Sequence, residues 1–266
     1  MFPKWTSVHM AVRPPLPRHG DTVRPMLDHV AIRASDRNAS ERFYRTTLGS
    51  LGIGPDEDGG QSARWGDFLI AAADAEDPPT RNLHLAFVAP SRERVDEFWR
   101  TGTDAGYEDE GEPGERPQYT PGYYGAFLRD PDGNSAEAVH HDDVRRGGHI
   151  DHLWIRVHDL DASSAFYAVI ARHAGLREGR RWDAGRQFRG AWATFSLVAD
   201  GAPPTEHLHM AFPAPDCQTV EDFHRAATDA GYRERRPPHA PEDRPGDYAA
   251  CVLDPDGNTV ESVFRG

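Results

Sequence analysis

Hydrophobic and polar positions along this chain follow two periods that alternate in a fixed order. From Asp28 to Ala34 the pattern has period two: Val30 and Ile32 fall on one side, and His29, Ala31 and Arg33 on the other. That is the signature of a half-buried strand. Asn38 to Leu48 carries Phe43, Tyr44 and Leu48 at helical spacing, and Phe68 to Ala73 reads as another strand. The order then repeats. Leu83 to Val88 is a strand, Ser91 caps a helix with Val95, Phe98 and Trp99 inside, and strands follow to Val139. In the second half Asp216 caps the matching helix, which holds Val220 and Phe223 inside.

The chain also repeats at a longer period, which dominates the reading. Leu27-Asp28-His29-Val30 returns as Ile150-Asp151-His152-Leu153, and Phe43-Tyr44 as Phe166-Tyr167. His84-Leu85-Ala86-Phe87 returns as His209-Met210-Ala211-Phe212. Asp130-Pro131-Asp132-Gly133-Asn134 returns as Asp254-Pro255-Asp256-Gly257-Asn258, followed three residues later by Glu137 and Glu261. Collinear matches at a nearly constant offset indicate duplication. The boundaries expected are a Pro-rich arm over 1–26, a first domain over 27–140, a linker over 141–149 and a second domain over 150–266. Each half comprises two strand–helix–strands units, giving an α+β architecture of two tandem domains. Each domain is expected to contain two βαβββ units in a mostly antiparallel, partly open, cup-shaped barrel.

Alternation also decides which side chains face the cup. In the first half His29, Ala31 and Arg33 do so, with Asn82 and His84; in the second, His152, Trp154, Arg156 and His158, with His207 and His209. Glu137 and Glu261 follow the hairpin turns. Each half thus offers two histidines and one glutamate, a donor set suited to a divalent Fe, Mn, Zn or Ni ion with open positions for substrate. The Asp-Pro-Asp-Gly-Asn segments are turn chemistry first, with Gly supplying the positive φ.

These motifs resemble the vicinal oxygen chelate superfamily, which includes glyoxalase I, bleomycin-resistance proteins, fosfomycin-modifying enzymes and extradiol dioxygenases. The resemblance spans 27–140 and 150–264. It implies metal ligands at His29, His84 and Glu137, and at His152, His209 and Glu261. It also admits exchange of units between halves or chains, so that His29 would share a metal with His209 and Glu261. Pro121-Gly122-Tyr123-Tyr124 and Pro245-Gly246-Asp247-Tyr248 are similar to small glyoxalase-like members.

The departures matter too. A glyoxalase I would carry a fourth, glutamate ligand near Leu69 or Ser196, and the sequence has none there. Three ligands match the extradiol dioxygenases, whose tyrosine before the turn is replaced here by Phe127 and Cys251. His158 and His207, with Arg156 as a carboxylate anchor, are the substitutes expected for proton handling. They tilt the expected reaction centre towards the second half. The function expected is a metal-dependent enzyme for a small oxygen-chelating substrate, leaning to dioxygenase over lyase or isomerase chemistry. The alternative is a bleomycin-resistance-type binding protein using Trp65, Trp154, Trp182 and Trp192.

Composition narrows the partners. With 43 acidic against 30 basic residues the formal charge is -13, which opposes binding to nucleic acid or an anionic membrane. Only Cys217 and Cys251 are present, so no disulfide framework is expected and a cytoplasmic location is. A small-molecule substrate is the expected partner, with a homodimer the assembly the resemblance suggests.

Overall fold

The computed structural model describes residues 26–56, 62–142, 148–190, 193–242 and 244–266. The arm expected over 1–26 and Trp192 lie outside these, apart from Met26, which is buried. The first half runs β1 (His29–Ala34), α1 (Arg37–Ser50), β2 (Ser62–Trp65), β3 (Phe68–Ala72), β4 (His84–Val88), α2 (Arg92–Asp104), β5 (Glu108–Glu115), β6 (Tyr124–Arg129) and β7 (Ser135–His140). The second runs β8 (Ile150–Arg156), α3 (Leu160–Ile170), β9 (Arg177–Trp182), β10 (Gly185–Arg189), β11 (Thr194–Val198), β12 (His209–Pro213), α4 (Cys217–Asp229), β13 (Glu234–His239), β14 (Tyr248–Leu253) and β15 (Thr259–Phe264). This is the α+β alternation expected. Among the described residues no helix is long and apolar enough to cross a membrane.

Each helix starts where a short polar side chain satisfies a free backbone N–H. Asp36 accepts from Ala39 N at 3.0 Å, and Asp216 from Thr219 N at 2.8 Å. Ser91 caps α2, and Asp159 caps α3. The helical stripes bury Phe43, Tyr44 and Leu48, with Phe166 and Tyr167 as their counterparts, against Val30, Ile32, Leu153 and Ile155. Within a half the helices pack together, α1 on α2 and α3 on α4.

The sheets, by contrast, are completed across the halves. One has the order β13-β14-β15-β12-β1-β3-β2, the other β5-β6-β7-β4-β8-β11-β10-β9. The first unit therefore shares a sheet with the fourth, and the second with the third. Neither sheet closes into a barrel. The seams are the antiparallel pairs β1–β12 and β4–β8. A reciprocal clasp locks them: Thr80 Oγ1 donates to the His207 carbonyl at 2.8 Å, and Thr205 Oγ1 to the Asn82 carbonyl at 3.0 Å. Both threonines are buried.

The repeated Asp-Pro-Asp-Gly-Asn turns tie helix to sheet. Asp130 accepts from the Asp132 and Asn134 amides at 2.9 and 2.8 Å and from the Tyr44 hydroxyl at 3.1 Å. Asn134 Oδ1 accepts from Leu83 N at 3.1 Å, which fixes β7 beside β4. Asp254, Tyr167, Asn258 and Leu208 repeat the arrangement. Gly133 and Gly257 sit at φ of 83° and 87°, the left-handed region where a Cβ would strain the turn.

Candidate metal centres

The crosswise pairing decides which of the six ligand candidates meet. His29 on β1, His209 on β12 and Glu261 on β15 form one group; His84 on β4, Glu137 on β7 and His152 on β8 form the other. In each group the donor atoms lie within 4.8 Å of one another. His29 is thus met by His209 and Glu261 from the other half, not by His84 and Glu137.

Register explains the convergence. Ala86 lies between Glu137 on one neighbouring strand and His152 on the other, with His84 one step along on the same face. Ala211 lies likewise between His29 and Glu261, with His209 one step along. Side chains two apart on a strand share a face, so three donors converge over one small residue. Both alanines are fully buried, and their methyl groups leave the space above them to the donors.

In the His84 centre, Glu137 Oε2 lies 3.0 Å from His84 Nε2 and 3.5 Å from His152 Nε2. In the His29 centre, Glu261 Oε2 lies 2.6 Å from His209 Nε2 and 3.9 Å from His29 Nε2. Two donors each about 2.1 Å from a shared ion stand roughly 3 Å apart, so both sets fit a divalent metal. The outer groups fit as well. His152 Nδ1 donates to Asp151 at 2.9 Å and His29 Nδ1 to Asp28 at 2.8 Å. An ionised carboxylate only accepts, so the proton is on Nδ1 and Nε2 turns its lone pair inward. His84 Nδ1 is held by Ser135 Oγ at 2.9 Å.

The carboxylates behind the histidines are themselves anchored. His141 Nε2 bonds Asp151 at 3.0 Å, whereas Asp28 is gripped by Arg265 at 2.5 and 3.2 Å, an arginine that also holds Asp247. Burial would raise the Asp28 and Asp151 carboxyls. Hydrogen bonds from His29 and Arg265, and from His141 and His152, overcome it and hold both below the usual range. Glu261, raised by burial but drawn down by His209, is held at about 2. Burial lowers His29, favouring the neutral imidazole that can ligate. For His152 burial is outweighed by Asp151 and Glu137, and its basicity rises.

Where a fourth carboxylate would stand, Leu69 is in register with Ala31 and Ser196 with Trp154. Among the described residues three protein donors therefore converge in each candidate centre.

Neither group of converging donors includes His158, His207 or Arg156. His158 is beyond the end of β8, its side chain 75% exposed, with Nδ1 on Asp256 at 2.8 Å. Its counterpart Ser35 donates its amide to Asp132 at 2.9 Å, so both residues secure a turn. His207 precedes β12 at φ 57°, and Asn82 precedes β4 at φ 58°; alternation cannot be extended past such a residue. Arg156 bonds Asp200 at 3.3 Å.

The groups around the His84 centre include two, Tyr119 and Tyr123, to which the sequence pattern assigned no role. The Tyr123 hydroxyl donates to Glu137 Oε1 at 2.5 Å, with its ring stacked 6.0 Å from His141. Tyr119 meets Tyr123 and Trp154 edge-on at 5.1 and 5.9 Å. Trp154 and Phe127 stand 5.7 and 6.0 Å from the His84 ring. A signal for Tyr123 existed: its counterpart in the repeated Pro-Gly motif is Asp247, the one substitution within it.

The family model of the Glyoxalase/Bleomycin resistance protein/Dioxygenase superfamily matches this chain twice, over residues 26–138 and 149–262. Glyoxalase I from Zea mays has a similar structure, with a TM-score of 0.65 and 18% identity over 90% of this chain and 92% of that one. A putative dioxygenase from Bacillus subtilis aligns with a TM-score of 0.59 and 14% identity over 90% of this chain and 84% of its own. A glyoxalase/bleomycin resistance protein from Albidiferax ferrireducens is 35% identical over 44% of this chain and 99% of its own, with a TM-score of 0.40. No curated protein matches. With the family model matching both halves, the chain belongs to the glyoxalase/bleomycin resistance protein/dioxygenase superfamily.

Proposed function

We propose that this protein is a divalent-metal-dependent enzyme acting on a small molecule that chelates through neighbouring oxygens. The observation that carries the reading is the duplicated His–His–Glu set, with donors converging over Ala86 and Ala211 and outer groups fixing the histidines. Fe, Mn, Zn or Ni suits these donors. Such an ion, when bound, supplies Lewis acidity and a template for two substrate oxygens.

The chain's own residues do the remainder. Asp28 and Asp151 orient His29 and His152. Tyr123 holds Oε1 of Glu137 and leaves Oε2 facing the imidazoles. Tyr119, Phe127 and Trp154 wall the His84 centre and keep water from bound substrate. Isomerisation next to a carbonyl needs a positioned base, and Leu69 and Ser196 stand where a glutamate would serve. That favours dioxygenase-type chemistry over glyoxalase I-type chemistry. The reading assigns no step to His158, His207 or Arg156.

The test is metal analysis of the full chain purified without chelators. Two equivalents per chain are expected, with iron accompanied by oxygen consumption on catechols. Uptake no greater than that of a His152→Ala/His209→Ala control would sink the proposal. Metal uptake without oxygen use would move the chemistry to the lyase or isomerase branch.

A further inference from the structure

The duplicated centres have the same donors and different walls. Three positions facing the His84 centre carry Tyr123, Phe127 and Trp154; their counterparts at the His29 centre are Asp247, Cys251 and Ala31. Phe127 is in register with Glu137, and Cys251 with Glu261, so both stand directly beside the ligand carboxylate. The next strand outward carries a compensating exchange. Gly111 is the register partner of Phe127, and a Cβ there would lie 3.0 Å from the Phe127 ring. Arg236 is the register partner of Cys251. One sheet thus sets a large ring beside a glycine; the other pairs an exposed arginine, at a bulged register, with the small Cys251 that stands beside Glu261.

Charge follows the same division. Arg244 and Arg236 both act electrostatically on the His29 centre, the first on Glu261 and both on Cys251. Arg235 is committed to Asp77, and Arg265 to Asp28 and Asp247. Arg236 is exposed and has no ion-pair partner among the described residues. The His84 centre has an arginine at its rim too, but Arg116 lies over the Phe127 ring at 5.7 Å and donates to the Glu112 and Glu115 carbonyls. Access differs as well: the His209 side chain is 28% exposed, that of His84 5%.

We infer that the two centres take different classes of chelating ligand. The His84 centre accepts a planar aromatic ring bearing adjacent oxygens, stacked among Tyr119, Phe127 and Trp154. The His29 centre accepts a small aliphatic chelator carrying a carboxylate, which Arg236 reaches. The assignment rests on the metal-centre reading above. Flat rings are held by aromatic faces and edges, and anionic oxygens by guanidinium N–H groups.

Cobalt(II) uptake and its visible spectrum, with 4-nitrocatechol and oxalate as probes, test the assignment on the full chain. A His209→Ala/Glu261→Ala variant retains only the His84 centre, and a His84→Ala/Glu137→Ala variant only the His29 centre. Each is expected to bind one cobalt. The first should prefer 4-nitrocatechol and the second oxalate, each by about tenfold or more relative to the other variant. In the second background Arg236→Gln should weaken oxalate by about tenfold without altering cobalt uptake. In the first, Trp154→Ala should weaken 4-nitrocatechol and leave cobalt bound. Equal affinities of the two centres for both probes, or no effect of Arg236→Gln on oxalate, would overturn the inference and leave the metal reading intact. Failure of the wild-type chain to take up cobalt would remove both.

Discussion

The candidate His29 and His84 centres are the same construction executed twice, and the difference between them separates what the shared donor geometry requires from what it tolerates. Common to both are the register of three adjacent strands, the alanine at the middle position and the carboxylate behind the first histidine. What changed are the side chains facing inward from the neighbouring strands and the group behind the carboxylate, Arg265 in one and His141 in the other. Backbone pairing fixes donor positions at no cost in wall identity, so duplication could preserve the donors while the walls diverged.

Removing candidate ligands in pairs should have the largest effect. If donors assemble across the halves, His29→Ala/Glu261→Ala damages one centre and leaves one metal equivalent per chain. His29→Ala/Glu137→Ala damages both and leaves none. Assembly within halves predicts the opposite stoichiometries. Metal analysis after gel filtration distinguishes the two, and loss of one donor in three is a large enough effect to need no fine calibration.

Gly125 offers the next largest effect. A Cβ there would lie 2.5 Å from Glu137 Oε1 and 3.2 Å from the Tyr123 ring. The corresponding residue of the other half is Ala249, which has no tyrosine to accommodate. Gly125→Ala should therefore displace Glu137 or Tyr123, costing about 1–3 kcal/mol of stability and weakening metal at the His84 centre alone. Ala249→Gly should leave the His29 centre's affinity within about twofold, since it opens space without moving a ligand. Metal titration of single-centre backgrounds reads both.

The carboxylates behind the histidines also separate the two centres. Asp28→Asn and Asp151→Asn should each cost about 10–100-fold in metal affinity at their own centre, the range usual for groups that orient a ligating histidine. Asp28→Asn also strips Arg265 of a partner, so it should lower thermal stability more than Asp151→Asn does. Equal losses of stability would mean that Arg265 contributes nothing beyond holding Asp247.

The six candidate ligands that converge in two groups were legible in the sequence for a physical reason. Each lies within a strand, where period two holds, and each recurs at a fixed offset. His158 and His207 carry the same residue type but sit past strand ends, where a turn or a φ of 57° resets the direction of the side chain. The crosswise pairing was visible only as an alternative, because strand order is a non-local choice that alternation does not encode. Tyr123 lies within the repeated Pro-Gly motif, yet its meaning depends on Gly125 two residues on and on the β6–β7 pairing that brings Glu137 to its hydroxyl, neither of which a single strand's pattern displays.

The smallest expected effect concerns the turns rather than the donors, and it asks whether the halves also differ in the scaffold. Burial raises Asp254 to about 6, against the opposing hydrogen bonds of Asn258; burial raises Asp130 as well. A carboxyl whose pKa is higher folded than unfolded binds its proton more tightly in the native state. Its contribution is therefore fully present below the unfolded value near 4 and is lost as pH rises through about 6. Urea unfolding of the metal-free chain should accordingly show a decline of roughly 1–3 kcal/mol between pH 4.5 and 7 that Asp254→Asn flattens. The variant lowers stability at low pH, because Asn cannot accept from Asp256 N, Asn258 N and Tyr167 together. Metal affinity at either centre should be unchanged, since Asp254 touches no donor. A shift in affinity at the His29 centre would show instead that the turn sets the register of β15, and with it the position of Glu261.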